Sequence, residues 1–278
     1  MNNIFTVIPT FLRHPEKFFQ SISKSESIGM KAFSLVVSSI MFLAIYGFVT
    51  GLSHSLPQAL SSAVKMPVLF VATIFFCLPA FYFFSLVLGT KLSLIQVTTV
   101  MLAAIGVTAF LLLGLSPITL FFVLTSDNFP FFRLLAVVFV AMSGGVGIYF
   151  LWHGMITIEV DSNASHANLR RLLLGGWFIL YAFIGSQMTW RLSPFVNDPT
   201  LPFEFIRPTR DNFYIDAARA FVEATGLQIS LTNANAVLIG AMCLLPLIAL
   251  VFGIGMGIDA AKKNKSVPQI LTTPQANT

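Results

Sequence analysis

The sequence predicts an all-α, polytopic membrane helix bundle with six transmembrane helices, an N-terminal amphipathic helix and a structured extracytoplasmic connection between the last two spans. Three observations predict it. The chain is 56% hydrophobic and only 10% charged, where an average soluble domain is roughly 25% charged. Six apolar runs are long enough to cross a hydrocarbon core, which takes about 20 helical residues. The basic residues also fall unevenly on alternate connections, the usual sign of membrane orientation.

The six runs cover residues 32–52, 67–89, 93–114, 131–155, 172–190 and 236–258. They are continuous rather than alternating, which argues against transmembrane strands. Backbone groups in lipid must bond within the segment, so the spans are read as helices. Pro79 and Pro246 are expected to kink the second and sixth.

Charge orients the bundle. With the N-terminus cytoplasmic, the inner connections hold Arg13, Lys17, Lys24, Lys31, Lys91, Arg170, Arg171, Lys262, Lys263 and Lys265 against five acids, Glu16, Glu26, Glu159, Asp161 and Asp259. The outer side holds six bases, Lys65, Arg133, Arg191, Arg207, Arg210 and Arg219, balanced by Asp127, Asp198, Glu204, Asp211, Asp216 and Glu223. The whole net charge of +5 therefore lies on one side, which predicts both termini in the cytoplasm of an inner-membrane protein. Topology explains the basic residues, so no nucleic-acid partner is expected. The partner that composition implies is the lipid bilayer.

Residues 1–30 read as an amphipathic, interfacial cytoplasmic segment. Ile4, Phe5, Ile8, Phe11, Leu12, Phe18, Phe19 and Ile22 recur at helical spacing, interrupted by Pro9 and Pro15. One or two short helices in the headgroup region would point Arg13, Lys17 and Lys24 at anionic lipid; a partner-binding helix is the alternative. No cleavable signal peptide is expected. Residues 31–258 form the membrane domain, and 259–278 a flexible cytoplasmic tail.

Two regions complicate six simple crossings. The third run continues to residue 125, and a 33-residue helix would be about 50 Å long. Gly114, Ser116 and Pro117 mark a break, with 115–125 forming an interfacial helix or a half-helix re-entering the bilayer. The second is the connection 191–235, read as an extracytoplasmic cap. Its first part belongs to residues 186–214, where Pro194, Pro199, Pro202 and Pro208 exclude a long regular helix. Further on, 211–225 regains helical spacing.

That segment supplies the candidate partner-binding residues: Trp190, Arg191, Phe195, Phe203, Phe205, Arg207, Arg210, Phe213 and Tyr214. Aromatic and arginine side chains are favoured at protein interfaces. The plainer alternative is a self-packed cap closing the outer face of the bundle. Ser186 and Gln187 are the candidate intramembrane polar contacts, bonding either between helices or to a substrate.

Catalytic chemistry finds little support. No Asp, Glu, Lys or Arg falls near the middle of a predicted span, which weighs against a pump or proton-coupled carrier. His14, His54, His153 and His166 lack metal-ligand spacing, and Cys77 and Cys243 read as small buried side chains. There is no nucleophile elbow, zincin motif, P-loop or dinucleotide-binding glycine pattern. No enzyme, cofactor or metal is expected.

The element LRHPEKFFQSI, followed by consecutive hydrophobic helices with short connections through about Met155, resembles the Yip1-like class of polytopic membrane proteins. That resemblance implies membrane organisation or trafficking rather than catalysis. It also implies about five spans, from which a sixth departs. The stretch GGWFILYAFIGSQMTWRLSPFVNDPTLPFEFIRPTRDNFY is similar to segments of uncharacterised bacterial inner-membrane proteins and implies no activity. The leading expectation is a non-catalytic membrane scaffold or subunit of a membrane assembly, with a membrane-protein partner or a second copy of the chain. The competing expectation is a channel or permease subunit for a small solute.

Overall fold

The computed structural model describes residues 7–87, 92–126, 128–158 and 167–192. Beyond them it describes residues 195, 202, 203, 205, 215, 218, 219 and 221–223. Seven helices are seen, and no strand occurs among the described residues: α1 (Val7–Arg13), α2 (Pro15–Ser23), α3 (Ile28–Gly51), α4 (Leu56–Val87), α5 (Leu94–Thr125), α6 (Phe129–Ile158) and α7 (Ala167–Arg191). Among them α3, α4 up to Phe83, α5 and α6 between Phe131 and Met155 are long and apolar enough to cross a membrane. The fifth predicted span falls within α7; the sixth, 236–258, lies outside the described residues, as do Pro246 and Cys243.

Helices α3, α4 and α5 form the centre, with α6 packed on α5 and α7 on α4. The tightest crossing joins α3 to α4. A β-carbon on Gly47 would stand 2.9 Å from Met66 Cγ and closer still to the Ser62 carbonyl oxygen, and one on Gly51 would meet the backbone of Gln58 and Ala59. Without side chains at these two positions, the helix backbones can approach closely, as small residues allow in membrane bundles. The α4–α7 contact is aromatic, with the rings of Phe81 and Trp177 4.2 Å apart and Trp177 almost wholly buried. Cys77 is a buried thiol on the same helix.

Three boundaries differ from the sequence reading. Helix α4 starts at Leu56 rather than at residue 67, so Pro67 lies inside it together with Pro79. Helix α7 starts at Ala167, which makes Arg170 and Arg171 part of a helix. Most consequential is α5, which runs unbroken to Thr125 through Gly114, Ser116 and Pro117. The stretch 115–125 is therefore continuous with α5 rather than a separate interfacial or re-entrant helix. Proline removes a single donor, and the hydroxyls on either side bond back along the helix: Ser116 Oγ to Leu112 O at 3.1 Å and Thr119 Oγ1 to Leu115 O at 3.0 Å. Leu112, Ser116 and Thr119 are also buried against the bundle, so packing helps keep the helix continuous through its weak point.

The N-terminal helices dock onto the bundle. Ile8, Phe11, Phe19 and Ile22 are fully buried, and Phe11 meets Phe150 of α6 edge-on at 5.3 Å. Their apolar faces are thus covered by protein, while Arg13, Lys17 and Lys24 are left exposed. Gln96 ties the junction. Its Nε2 donates to Ile22 O and Ser23 O, both at 2.9 Å, and to Ser25 Oγ at 3.1 Å. Its Oε1 accepts from Ser93 N at 2.7 Å, completing a capping box on α5. Lys31 Nζ closes the turn from the α3 side, donating to Ser21 Oγ and Glu26 O, each at 2.6 Å.

Candidate partner-binding site

The short turn between α3 and α4 and the end of α7 bring a polar face of α4 against the segment that follows α7. Gln58, Ser61, Ser62 and Lys65 are all buried, and their three- and four-residue spacing puts them on one side of the helix. Ser62 Oγ donates to the carbonyl oxygen of Phe195 at 2.8 Å. One turn on, Lys65 Nζ donates to the carbonyl oxygen of Phe205 and lies 4.8 Å from the centre of its ring.

This geometry moves Lys65 from the outer connection, where the sequence reading put it, into α4. Because α4 begins at Leu56, Lys65 stands nine residues into a candidate span, about 14 Å along the axis. It is 2% exposed. A buried ammonium is costly unless hydrogen-bonded, and the carbonyl and ring of Phe205 meet part of that need.

The candidate residues of 190–214 are distributed as follows. Phe195 is buried at 8% exposure, whereas Phe203 and Phe205 are exposed at 44% and 54%. Arg191 ends α7 and is exposed. Trp190 is the helical residue before it. Arg207, Arg210, Phe213 and Tyr214 lie outside the described residues. Farther along, Ile215 and Ala218 are buried, and Arg219 and Glu223 exposed.

Ser186 Oγ donates at 2.8 Å to Phe183 O of its own helix, and Gln187 is half-buried. The polar face of α4 was missed in the sequence because the span was begun at Pro67. Its signal was nonetheless present, since Gln58, Ser61, Ser62 and Lys65 recur at helical spacing.

A second feature lies deeper in the bundle. A cavity of about 40 Å³ is lined by Phe70 of α4, Met101 and Thr108 of α5, Gly147 and Leu151 of α6 and Tyr181 of α7. That is room for a few waters, far below the roughly 300 Å³ at which small-molecule pockets begin. Thr108 Oγ1 bonds Ala104 O at 3.1 Å and Ser143 O at 3.3 Å, across the close α5–α6 contact that Gly147 permits. Among the described residues no cluster of three or more His, Cys, Asp or Glu side chains could hold a metal ion.

Apolar helices of spanning length, packed round buried polar contacts, mark the chain as an α-helical membrane protein. No protein-family model matches it, and no curated protein or solved structure is significantly similar to it.

Proposed function

We propose that the chain is a non-catalytic, multi-pass scaffold or assembly subunit of a bacterial inner membrane, of the membrane-organising kind that the Yip1-like resemblance implies. Both termini are cytoplasmic in this reading, and the segment after α7 is an extracytoplasmic partner-binding surface. One observation carries it: aromatics of one short segment are sorted, with Phe195 buried and Phe203 and Phe205 exposed. Large aromatics held at a surface supply much of the affinity of protein interfaces. Arginines at 191, 207 and 210 flank them in sequence.

The test is crosslinking in native membranes from a photoreactive amino acid at position 203, with the adducts identified by mass spectrometry. A defined membrane-protein adduct, lost when Phe205 is changed to Ser or when Arg207 and Arg210 are both changed to Ala, is the expected result. Adducts to lipid alone would sink the reading. Adducts to a second copy would make the chain its own partner.

A channel or permease subunit is the second reading, favoured by the buried Lys65 and the polar face of α4. It predicts solute flux in proteoliposomes that falls when Lys65 is changed to Met. Vesicles no leakier than empty controls to a panel of small neutral and anionic solutes would remove it.

A further inference from the structure

We infer that α1 and α2 are a displaceable helix pair, docked in a groove between α3, α5 and α6 and released onto anionic lipid at the membrane surface. Only a membrane-embedded chain is required for this, not the scaffold reading. The groove is lined by small and apolar residues of three helices. A β-carbon on Gly106 of α5 would stand 3.2 Å from Ile8 Cδ1 and 3.2 Å from Leu35 Cδ2 of α3, and one on Gly154 of α6 would collide with the Phe19 ring. The Phe11 ring centre lies 5.2 Å from that of Phe19 and 5.3 Å from that of Phe150. Leu35, Gly106, Phe150 and Gly154 all fall within candidate membrane spans. An emptied groove would therefore face acyl chains rather than water.

That setting makes the docked state easy to tip. In lipid, the apolar faces of the pair and of the groove are covered whether or not they meet, so burial favours neither state strongly. Smaller terms decide. Gln96 holds the end of α2 through Ile22 O, Ser23 O and Ser25 Oγ, and Lys31 holds Ser21 Oγ and Glu26 O. Against these bonds stands a strained turn: Ser25 and Ser27 have φ of 57° and 51°, a left-handed backbone that costs any residue with a β-carbon.

Charge also favours release. Arg13, Lys17 and Lys24 are exposed on the docked pair, with Glu16 as an exposed acid among them. Freed helices carrying these bases, with Ile8, Phe11, Phe19 and Ile22 on the apolar side, have the make-up of an interfacial amphipathic element. Each base near an anionic surface is worth about a factor of five, so three bases less one acid favour release by up to about 30-fold. The tether to α3 keeps that surface within reach at all times.

The experiment uses the full-length protein with Cys77 and Cys243 replaced by Ala and spin labels attached at Gln20→Cys of α2 and Leu94→Cys of α5, both exposed positions. Double electron–electron resonance reads the distance between them in phosphatidylcholine vesicles and in vesicles of equal parts phosphatidylcholine and phosphatidylglycerol. A single short distance is expected in the neutral vesicles, and a second, longer population in the anionic ones. Changing Arg13, Lys17 and Lys24 together to Gln should abolish that lipid dependence and leave the short distance in place. Gln96→Leu should raise the released-to-docked ratio about tenfold in either lipid. If that variant does not fold, Lys31→Met, which loses the bonds to Ser21 and Glu26, takes its place. One short distance in every lipid, in the wild type and in the latch variant alike, overturns the release. A longer population equal in neutral and anionic vesicles, or unchanged by the triple substitution, overturns the role of anionic lipid and the inference with it.

Discussion

The ring of Phe19 occupies the space that a β-carbon on Gly154 would need, with its Cδ1 2.8 Å from that position. A residue of the second helix in the chain is thereby keyed to the end of α6, more than a hundred residues later. The contact explains why the N-terminal helices sit on the bundle in one place. It also makes the docking testable.

Gly154→Val should displace Phe19 and loosen α1 and α2, at a cost of about 1–3 kcal/mol for overpacking. Phe19→Ala should cost about 3–5 kcal/mol by leaving a cavity. The two changes share one space, so the double variant should cost clearly less than the sum of the singles. Denaturant titration in detergent measures all three, and strict additivity would mean that the ring does not rest on Gly154.

Gln96→Leu should release the N-terminal helices while sparing the spans. It removes the donors to Ile22 O, Ser23 O and Ser25 Oγ and breaks the capping box with Ser93. The loss should be about 1–3 kcal/mol of local stability. Hydrogen exchange should then accelerate in residues 7–23 and stay slow in the centres of α3 and α5. Uniform acceleration along the chain would show that the junction is not a local latch.

Gly47→Leu should be the most damaging single change in the bundle. Any β-carbon there runs into the backbone of Ser62, and backbone cannot rotate aside. Even Gly47→Ala should lose about 1–3 kcal/mol. Gly144→Ala is the matched control, because nothing lies within 4 Å of the added carbon. It should be neutral or gain up to about 1 kcal/mol from helix propensity. Melting temperatures in detergent would rank them, and equal tolerance of both would contradict the α3–α4 crossing.

Single cysteines along the second half of α5 report whether the helix is continuous. With Cys77 and Cys243 replaced by Ala, Ser116→Cys and Thr119→Cys should resist a water-soluble maleimide, since both positions are buried in the bundle. Leu124→Cys, 76% exposed at the end of the helix, should react readily. Labelling throughout 115–125 would instead describe a segment lying free at the surface.

Much of this was open to sequence reading, and the misses have physical causes. Apolar length and low charge determined by themselves an all-helical membrane protein and the approximate place of most of its spanning helices, because lipid forces the backbone to bond within each segment. The capping box was readable as Ser93 followed three residues later by Gln96, and the close approach of α3 and α4 as the pair Gly47 and Gly51. Helix ends were less legible. The second span reads as beginning at Pro67 and the third as breaking near Pro117, yet both prolines lie inside helices, where the lost donor is offset by packing. What only the tertiary structure decided is which groups meet across the sequence. Phe19 finds Gly154, Gln96 finds the end of α2, and Lys65 finds Phe205, 140 residues away. Such pairings follow from how the helices pack, which no local pattern encodes. A lysine read as part of the outer connection is therefore a buried residue of α4, bonded to the carbonyl oxygen of Phe205.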